Sequence, residues 1–286
     1  MLSLLPLLLL QVGPVPTTGA VDAVPEELHE QRRMNRARAA AIDASRPVAV
    51  RTLDPCHEEI RIAPLDALDA AQDRLENSRG ADRATAAECM GLALAALERW
   101  GEAESALVEA RDAVPASEGA RRAQLGAAAA IAAEAAGDFA RALPLFEAAR
   151  AEARAAGDVA VAGRIARDMA HSLNRLGQGQ RAMESLAEAR AALPDDPAVW
   201  LISARLSRQQ ERLGEAQGQI ERAAMLAPRN PEVGLEAGVI AVLGGNEAAA
   251  RRSWESVVAM APGSPVAATA QDYLGQLGPQ PGPAAR

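Results

Sequence analysis

Proline and alanine recur with a period of 34 residues in the C-terminal half of the chain, and this period constrains the fold more than any other feature. Pro194, Pro228 and Pro262 are spaced by 34 residues. Two further sets keep that spacing, namely Ala182, Ala216 and Ala250, and the large apolar residues Leu186, Ile220 and Trp254. A fixed period of this length is typical of repeat architectures, in which each unit packs against its neighbours.

The same pattern occurs twice more upstream, at longer intervals. The steps from Ala103 to Ala142 and from Ala142 to Ala182 are 39 and 40 residues, so five or six residues are inserted in each. The segment AEARAAGD ends just after Gly157 and predicts that the second insertion lengthens a helix there. We therefore expect about five repeats over residues 84–263.

Each unit pairs a small residue of its first helix with an alanine of its second. The small residues are Gly91, Ala130, Ala170, Ala204 and Gly238, and the alanines are Ala103, Ala142, Ala182, Ala216 and Ala250. Small side chains at a crossing let two antiparallel helices approach closely.

Turn residues separate the paired helices. Gly137, Gly177 and Gly245 stand where a left-handed residue ends a helix. Glu98 and Glu211 occupy the same position in the other two units, which predicts a different turn geometry there.

The second-helix pattern Ala-x3-large-x2-Ala-x4-Pro resembles that of the tetratricopeptide-repeat (TPR) family, over residues 84–277. The resemblance implies an all-α, right-handed superhelical solenoid of antiparallel helix pairs that binds a protein or peptide without catalysis. The composition agrees with packed helices, because hydrophobic residues make up 49% of the chain and aromatic residues only 2%. An irregular helical bundle or another helical-hairpin repeat is the alternative.

The two ends of the chain differ from the repeats. Leu2–Leu10 is a short apolar run followed by small residues, typical of a cleaved secretory signal and too short for a membrane span. The alternatives are a buried helix or a misassigned start. The segments expected outside the repeats are a signal peptide at 1–23, a partly disordered linker at 24–54, a helical cap at 55–82, a capping helix at 264–277 and a disordered tail at 278–286. The predicted location is secreted or periplasmic, with no membrane span after signal cleavage.

Cys56 and Cys89 are the two cysteines of the chain. An even number in an exported protein favours a disulfide, and two buried free thiols are the alternative. Cys56, His57 and Cys89 could also supply three metal ligands, but adjacent Cys-His is not a standard zinc spacing and no fourth ligand is evident. We expect no metal and no cofactor.

Charge and motifs indicate a function other than catalysis or nucleic-acid binding. The net charge is −8, which provides no basic field to attract phosphates. The chain has no lysine and therefore no P-loop, and it lacks the serine-hydrolase and zinc-protease signatures. The prediction is that the protein is not an enzyme.

The TPR resemblance implies that positions two, five, nine and twelve of each first helix line a concave groove. In the units beginning at Gly163 and Pro197 these positions hold the candidate binding residues Arg164, Arg167, His171, Asn174, Arg205 and Arg208. Arginine suits an acidic peptide or a terminal carboxylate. Alternatively, these arginines pair with neighbours such as Asp168 or Glu211 as a solvated ionic face.

The expected function is an adaptor outside the cytoplasm that binds a protein or peptide, with an acidic peptide as one class, in its concave groove. The alternative is an accessory subunit of an envelope assembly or secretion complex that uses its convex or terminal surfaces.

Overall fold

The computed structural model describes residues 55–277, and this part of the chain consists of helices without strands. We number the helices in chain order. They are α1 (Pro55–Ile62), α2 (Pro64–Asn77), α3 (Gly80–Ala96), α4 (Trp100–Ala113), α5 (Gly119–Ala135), α6 (Phe139–Ala155), α7 (Val159–Arg175), α8 (Gly179–Ala192), α9 (Pro197–Gln209), α10 (Leu213–Leu226), α11 (Pro231–Leu243), α12 (Glu247–Met260) and α13 (Pro265–Gln276). The predicted signal peptide, linker and tail at 1–23, 24–54 and 278–286 lie outside the described residues.

Five helix pairs form the repeating part of the fold. They are α3–α4, α5–α6, α7–α8, α9–α10 and α11–α12, and each helix packs against the next one along the chain. First helices of neighbouring units also touch, as α5 does with α7 and α9 does with α11. The arrangement confirms the predicted all-α solenoid of antiparallel helix pairs.

Small residues bring the two helices of a unit together, as the sequence predicts. A Cβ atom added to Gly91 would lie 2.6 Å from Cγ of Leu107, and one added to Gly238 would overlap the indole of Trp254. The five second-helix alanines are fully buried, at Ala103, Ala142, Ala182, Ala216 and Ala250. Close contact at this crossing excludes voids and lets the large apolar side chains fill the space around it.

The turns between paired helices correct one prediction. Glu98 and Glu211 have φ of 58° and 59°, so they adopt the same left-handed conformation as Gly137, Gly177 and Gly245. The predicted difference in turn geometry is therefore wrong. The packing of the two helices determines the backbone conformation of the turn. Glu98 and Glu211 therefore adopt a left-handed conformation that is strained for a residue with a Cβ atom.

The inserted residues lie mainly in first helices. The α3, α5 and α7 helices have 17 residues each, whereas α9 and α11 have 13. The α6 helix has 17 residues where the other second helices have 14, which confirms the lengthening predicted before Gly157. The longer first helices were not predicted, because alanine-rich segments match a helix at any register.

The two ends of the described region are covered by helices outside the five pairs. At the N-terminal end, α1 and α2 pack on α3, and a disulfide joins Cys56 of α1 to Cys89 of α3 with a Cα–Cα distance of 5.9 Å. At the other end, α13 packs on α12 and α11, with the Ser264 hydroxyl capping its first turn. Within residues 55–277, no helix combines the length and apolarity needed to cross a membrane.

Candidate functional site

A groove in the described residues lies across three successive first helices. Its volume is about 520 Å³. It is lined by Ile131 and Glu134 of α5, by Arg167, Asp168, Ala170, His171 and Asn174 of α7, by Leu186 of α8, and by Ile202, Arg205, Leu206 and Gln209 of α9. We call this the first-helix groove. It is open to solvent and falls in the size range of ligand-binding clefts.

Four of the six predicted binding residues line the groove. These are Arg167, His171, Asn174 and Arg205. Arg164 is exposed on α7, one turn from Arg167, and Arg208 lies on α9 beside the groove. The family-derived positions therefore lie on two of the first helices that form the groove, and their role in binding stays a prediction.

Carboxylates pair with both arginines of the groove. Nε of Arg167 lies 2.8 Å from Asp168, and its Nη1 lies 3.5 Å from Asp196. Burial acts to lower the pKa of Arg167, but the hydrogen bond and charge of Asp168, with the charge of Asp196, raise it on balance. Arg205 pairs with Glu232 at 3.1 Å. Both guanidinium groups therefore already have carboxylate partners.

Arg208 belongs to the packing between units. Its Nε donates to Glu236 of α11 at 2.6 Å, and the Glu236 side chain is only 7% exposed. Arg205 approaches the same carboxylate at 3.8 Å. Because Glu236 is buried, its ion pair with Arg208 joins the fourth unit to the fifth. The ion pairs of Arg167, Arg205 and Arg208 match the ionic-face alternative. Of the two carboxylates named for that alternative, Asp168 takes part in these ion pairs and Glu211 does not.

The opposite rim carries a second polar network. The buried Ser172 hydroxyl donates to Glu134, and Nδ1 of His171 lies 3.5 Å from the same carboxylate. The His171 ring packs edge-on to Phe139, and Arg175 lies over the face of that phenyl ring at 4.7 Å.

An amide pair continues this rim. Nδ2 of Asn174 donates to Oε1 of Gln209 at 3.1 Å and links α7 to α9. Each of the two amide side chains thereby fixes the orientation of the other.

The floor of the groove is apolar. Ile131 is 47% exposed, Ile202 is partly buried, and Leu186 and Leu206 are buried beneath them. Ile202 and Gln209 were not among the residues predicted from the sequence. These two follow directly after the fifth and twelfth positions of α9, and a helix face is wider than one residue per turn.

The described residues offer no cluster of three His, Cys, Asp or Glu side chains suited to a metal ion. The disulfide uses both cysteine thiols, so Cys56 and Cys89 are not available as thiolate ligands beside His57 while it is intact. This geometry overturns the three-ligand alternative for the Cys56 region.

Comparison with known proteins identifies the repeat. Residues 133–206 match the family model described as Tetratricopeptide repeat. This segment contains α6, α7, α8 and most of α9, and α7 and α9 contribute most of the groove lining. The chain therefore contains a tetratricopeptide-repeat segment at 133–206. No curated protein sequence matches it significantly.

Solved structures with the same fold cover most of this chain. BtubC from P. vanneervenii superposes with a TM-score of 0.60 at 14% identity, over 82% of this chain and 97% of that one. Pseudomonas aeruginosa pilF gives 0.53 at 18% identity, over 75% and 95%. YrrB, described as a TPR protein with an unusual peptide-binding site, gives 0.50 at 18% identity, over 72% and 100%. At these identities the likeness shows the shared fold of the TPR solenoid.

Proposed function

We propose that this TPR protein is a non-catalytic scaffold that binds a protein or peptide segment in the first-helix groove. The observation that carries the proposal is the groove of about 520 Å³ across α5, α7 and α9. It combines an exposed apolar residue, Ile131, with hydrogen-bonding rims, as binding clefts do. The fold it shares with YrrB, a protein with a peptide-binding site, supports the same role.

We further propose that the scaffold works outside the cytoplasm, in the periplasm or after secretion. Two features support this location. The disulfide between Cys56 and Cys89 is typical of oxidising compartments, and the leucine-rich run at residues 2–10 resembles a secretory signal. Cell fractionation, with thiol titration of denatured, unreduced protein, tests both features. Two reactive thiols in protein isolated from the native cell would contradict the disulfide.

A second cavity keeps the assembly-subunit alternative open. It has a volume of about 330 Å³, lies at the junction of α6, α7 and α8, and is lined by Val159, Ala162, Glu188 and their neighbours. Val159 is exposed and lies outside the first-helix groove. A partner docked here would use the end of the longer α7 helix, as an accessory subunit contacting its complex through an outer surface would do.

Partner capture by matched variants tests the proposed function. Ile131→Glu places a charge on the groove floor, and Arg164→Glu reverses an exposed charge beside it. Neither side chain has an ion-pair partner in the described residues. The controls are Met225→Glu and Arg252→Glu, at exposed positions of the second helices α10 and α12.

The two groove variants should reduce partner capture, whereas the two control variants should not. Crosslinking in the native compartment should recover far less partner with Ile131→Glu than with Met225→Glu, because the charge must be desolvated when the groove is filled. Equal capture by all four variants would contradict groove binding and favour the accessory-subunit alternative. Reversing Arg208 is a poorer test, since it would leave the buried Glu236 beside a like charge.

A further inference from the structure

We infer that the first-helix groove selects an uncharged segment of a partner protein with an aliphatic side chain, and not an acidic peptide. The inference rests on the proposed function and names the chemistry of its ligand. It depends on the charge balance of the groove, on the satisfied state of its polar rims and on the exposure of its floor.

The first step concerns charge. The groove lining holds two arginines, Arg167 and Arg205, and two carboxylates, Glu134 and Asp168. Further carboxylates outside the lining contact the same arginines, at Asp196, Glu232 and Glu236. An incoming carboxylate would have to displace one of these and leave it without a counter-ion. The exchange of one ion pair for another provides little net affinity.

The second step concerns the remaining polar groups. Glu134 accepts from Ser172 and faces His171, while Asn174 donates to Gln209. Breaking these contacts carries a desolvation penalty that a charged ligand would have to overcome. The rims thus position a ligand through their free lone pairs and amide hydrogens without requiring a charge.

The third step concerns the floor. Ile131 of α5 is 47% exposed and lines the same groove as Ile202 and Leu206 of α9. The Ala170 methyl group of α7 lies in the lining between these two helices and leaves space above it. An aliphatic side chain seated there would remove apolar surface from water on both sides, and this burial is the favourable term still available in the groove.

Methyl NMR of the full-length chain tests this selectivity. Isoleucine δ1-methyl groups report on Ile131 and Ile202 directly, and Ile62 of α1, which is 68% exposed and far along the chain from the groove, is the control methyl. The probes are N-acetyl-leucine methylamide and N-acetyl-aspartate methylamide, titrated separately. They share a backbone and differ only in the side chain.

The leucine probe should shift the Ile131 and Ile202 resonances, with a half-saturation concentration about tenfold or more below that of the aspartate probe. The shift should persist between about 50 and 500 mM NaCl, because hydrophobic contacts are not screened by salt. Ile131→Ser should weaken binding of the leucine probe, and the control Arg252→Gln, at an exposed position of α12 outside the groove lining, should leave it unchanged. A preference for the aspartate probe that salt removes, or an equal response at Ile62, would overturn the inference.

Two other occupants are separate outcomes. If residues 1–23 of the same chain occupy the groove, removing them should change the Ile131 resonance. If a second copy of the chain occupies it, diluting the protein should change that resonance. Either change would overturn the assignment to a partner. Failure of the ligand chemistry is distinguishable from failure of the proposed function. If the groove prefers the aspartate probe but Ile131→Glu still abolishes partner capture, only the inferred ligand chemistry is wrong. If the groove prefers the leucine probe but Ile131→Glu leaves partner capture unaffected, only the proposed function is wrong.

Discussion

At the scale of single residues, the crossing of α11 and α12 leaves no room for a side chain at Gly238. Gly238→Ala should destabilise the protein by about 1–3 kcal/mol, because the added methyl group overlaps the buried Trp254 indole. Urea unfolding followed by circular dichroism measures the change.

Gly218→Ala is the matched control for Gly238→Ala. Gly218 lies within α10, where an added Cβ would contact nothing within 4 Å, so alanine there should be neutral or stabilise by about 0.5–1 kcal/mol. Equal losses of stability at the two glycines would show that the crossing is looser than described.

The left-handed glutamates at Glu98 and Glu211 lead to a prediction of the opposite sign. Their φ values of 58° and 59° are strained for any residue with a Cβ atom. Glu98→Gly and Glu211→Gly should therefore each stabilise the protein, by up to about 1 kcal/mol. Thermal unfolding of the single variants checks this, with Gly137→Ala, at φ 82°, expected to lower the midpoint.

At the scale of elements, the disulfide ties α1 to α3 across a sequence separation of 33 residues. Replacing both cysteines by serine should cost about 3–4 kcal/mol on the chain-entropy model. The loss should be concentrated in α1–α3, because a terminal unit has one neighbour to stabilise it. Amide hydrogen exchange resolved by segment measures this, and uniform loss of protection through α13 would contradict it. Wild-type protein after reduction is the control.

The helices themselves could be predicted from the sequence better than the groove could. The 34-residue period locates the second helices because Pro194, Pro228 and Pro262 each follow the end of one. The lengths of the first helices could not be derived, since runs such as the alanines of α5 carry no mark of where a helix begins. The pairing of Arg205 with Glu232 and Glu236 of α11 depends on how neighbouring units pack, which residue spacing does not encode.

At the scale of the whole described region, stability depends on every unit having its apolar face covered. The last helix, α13, covers Trp254 and Val257 of α12, with Tyr273 packed against Trp254 at a ring distance of 5.1 Å. Removing residues 264–286 should expose this surface, lower the unfolding midpoint and promote self-association.

Removing only residues 278–286 is the control for the longer deletion, because α13 then remains in place. Light scattering and thermal unfolding of the two truncated proteins make the comparison. Indistinguishable behaviour of both would mean that α12 does not need its cover.

The difference in first-helix length makes the two ends of the solenoid unequal. Four extra residues in α3, α5 and α7 add about 6 Å of helix relative to α9 and α11. The first-helix layer is therefore longer in the N-terminal units than in the C-terminal ones. A partner segment bound across α5, α7 and α9, as proposed, would meet helices of unequal length on its two sides. Reversing the chain direction of such a segment would then change its contacts, which would give the groove a preference for one direction.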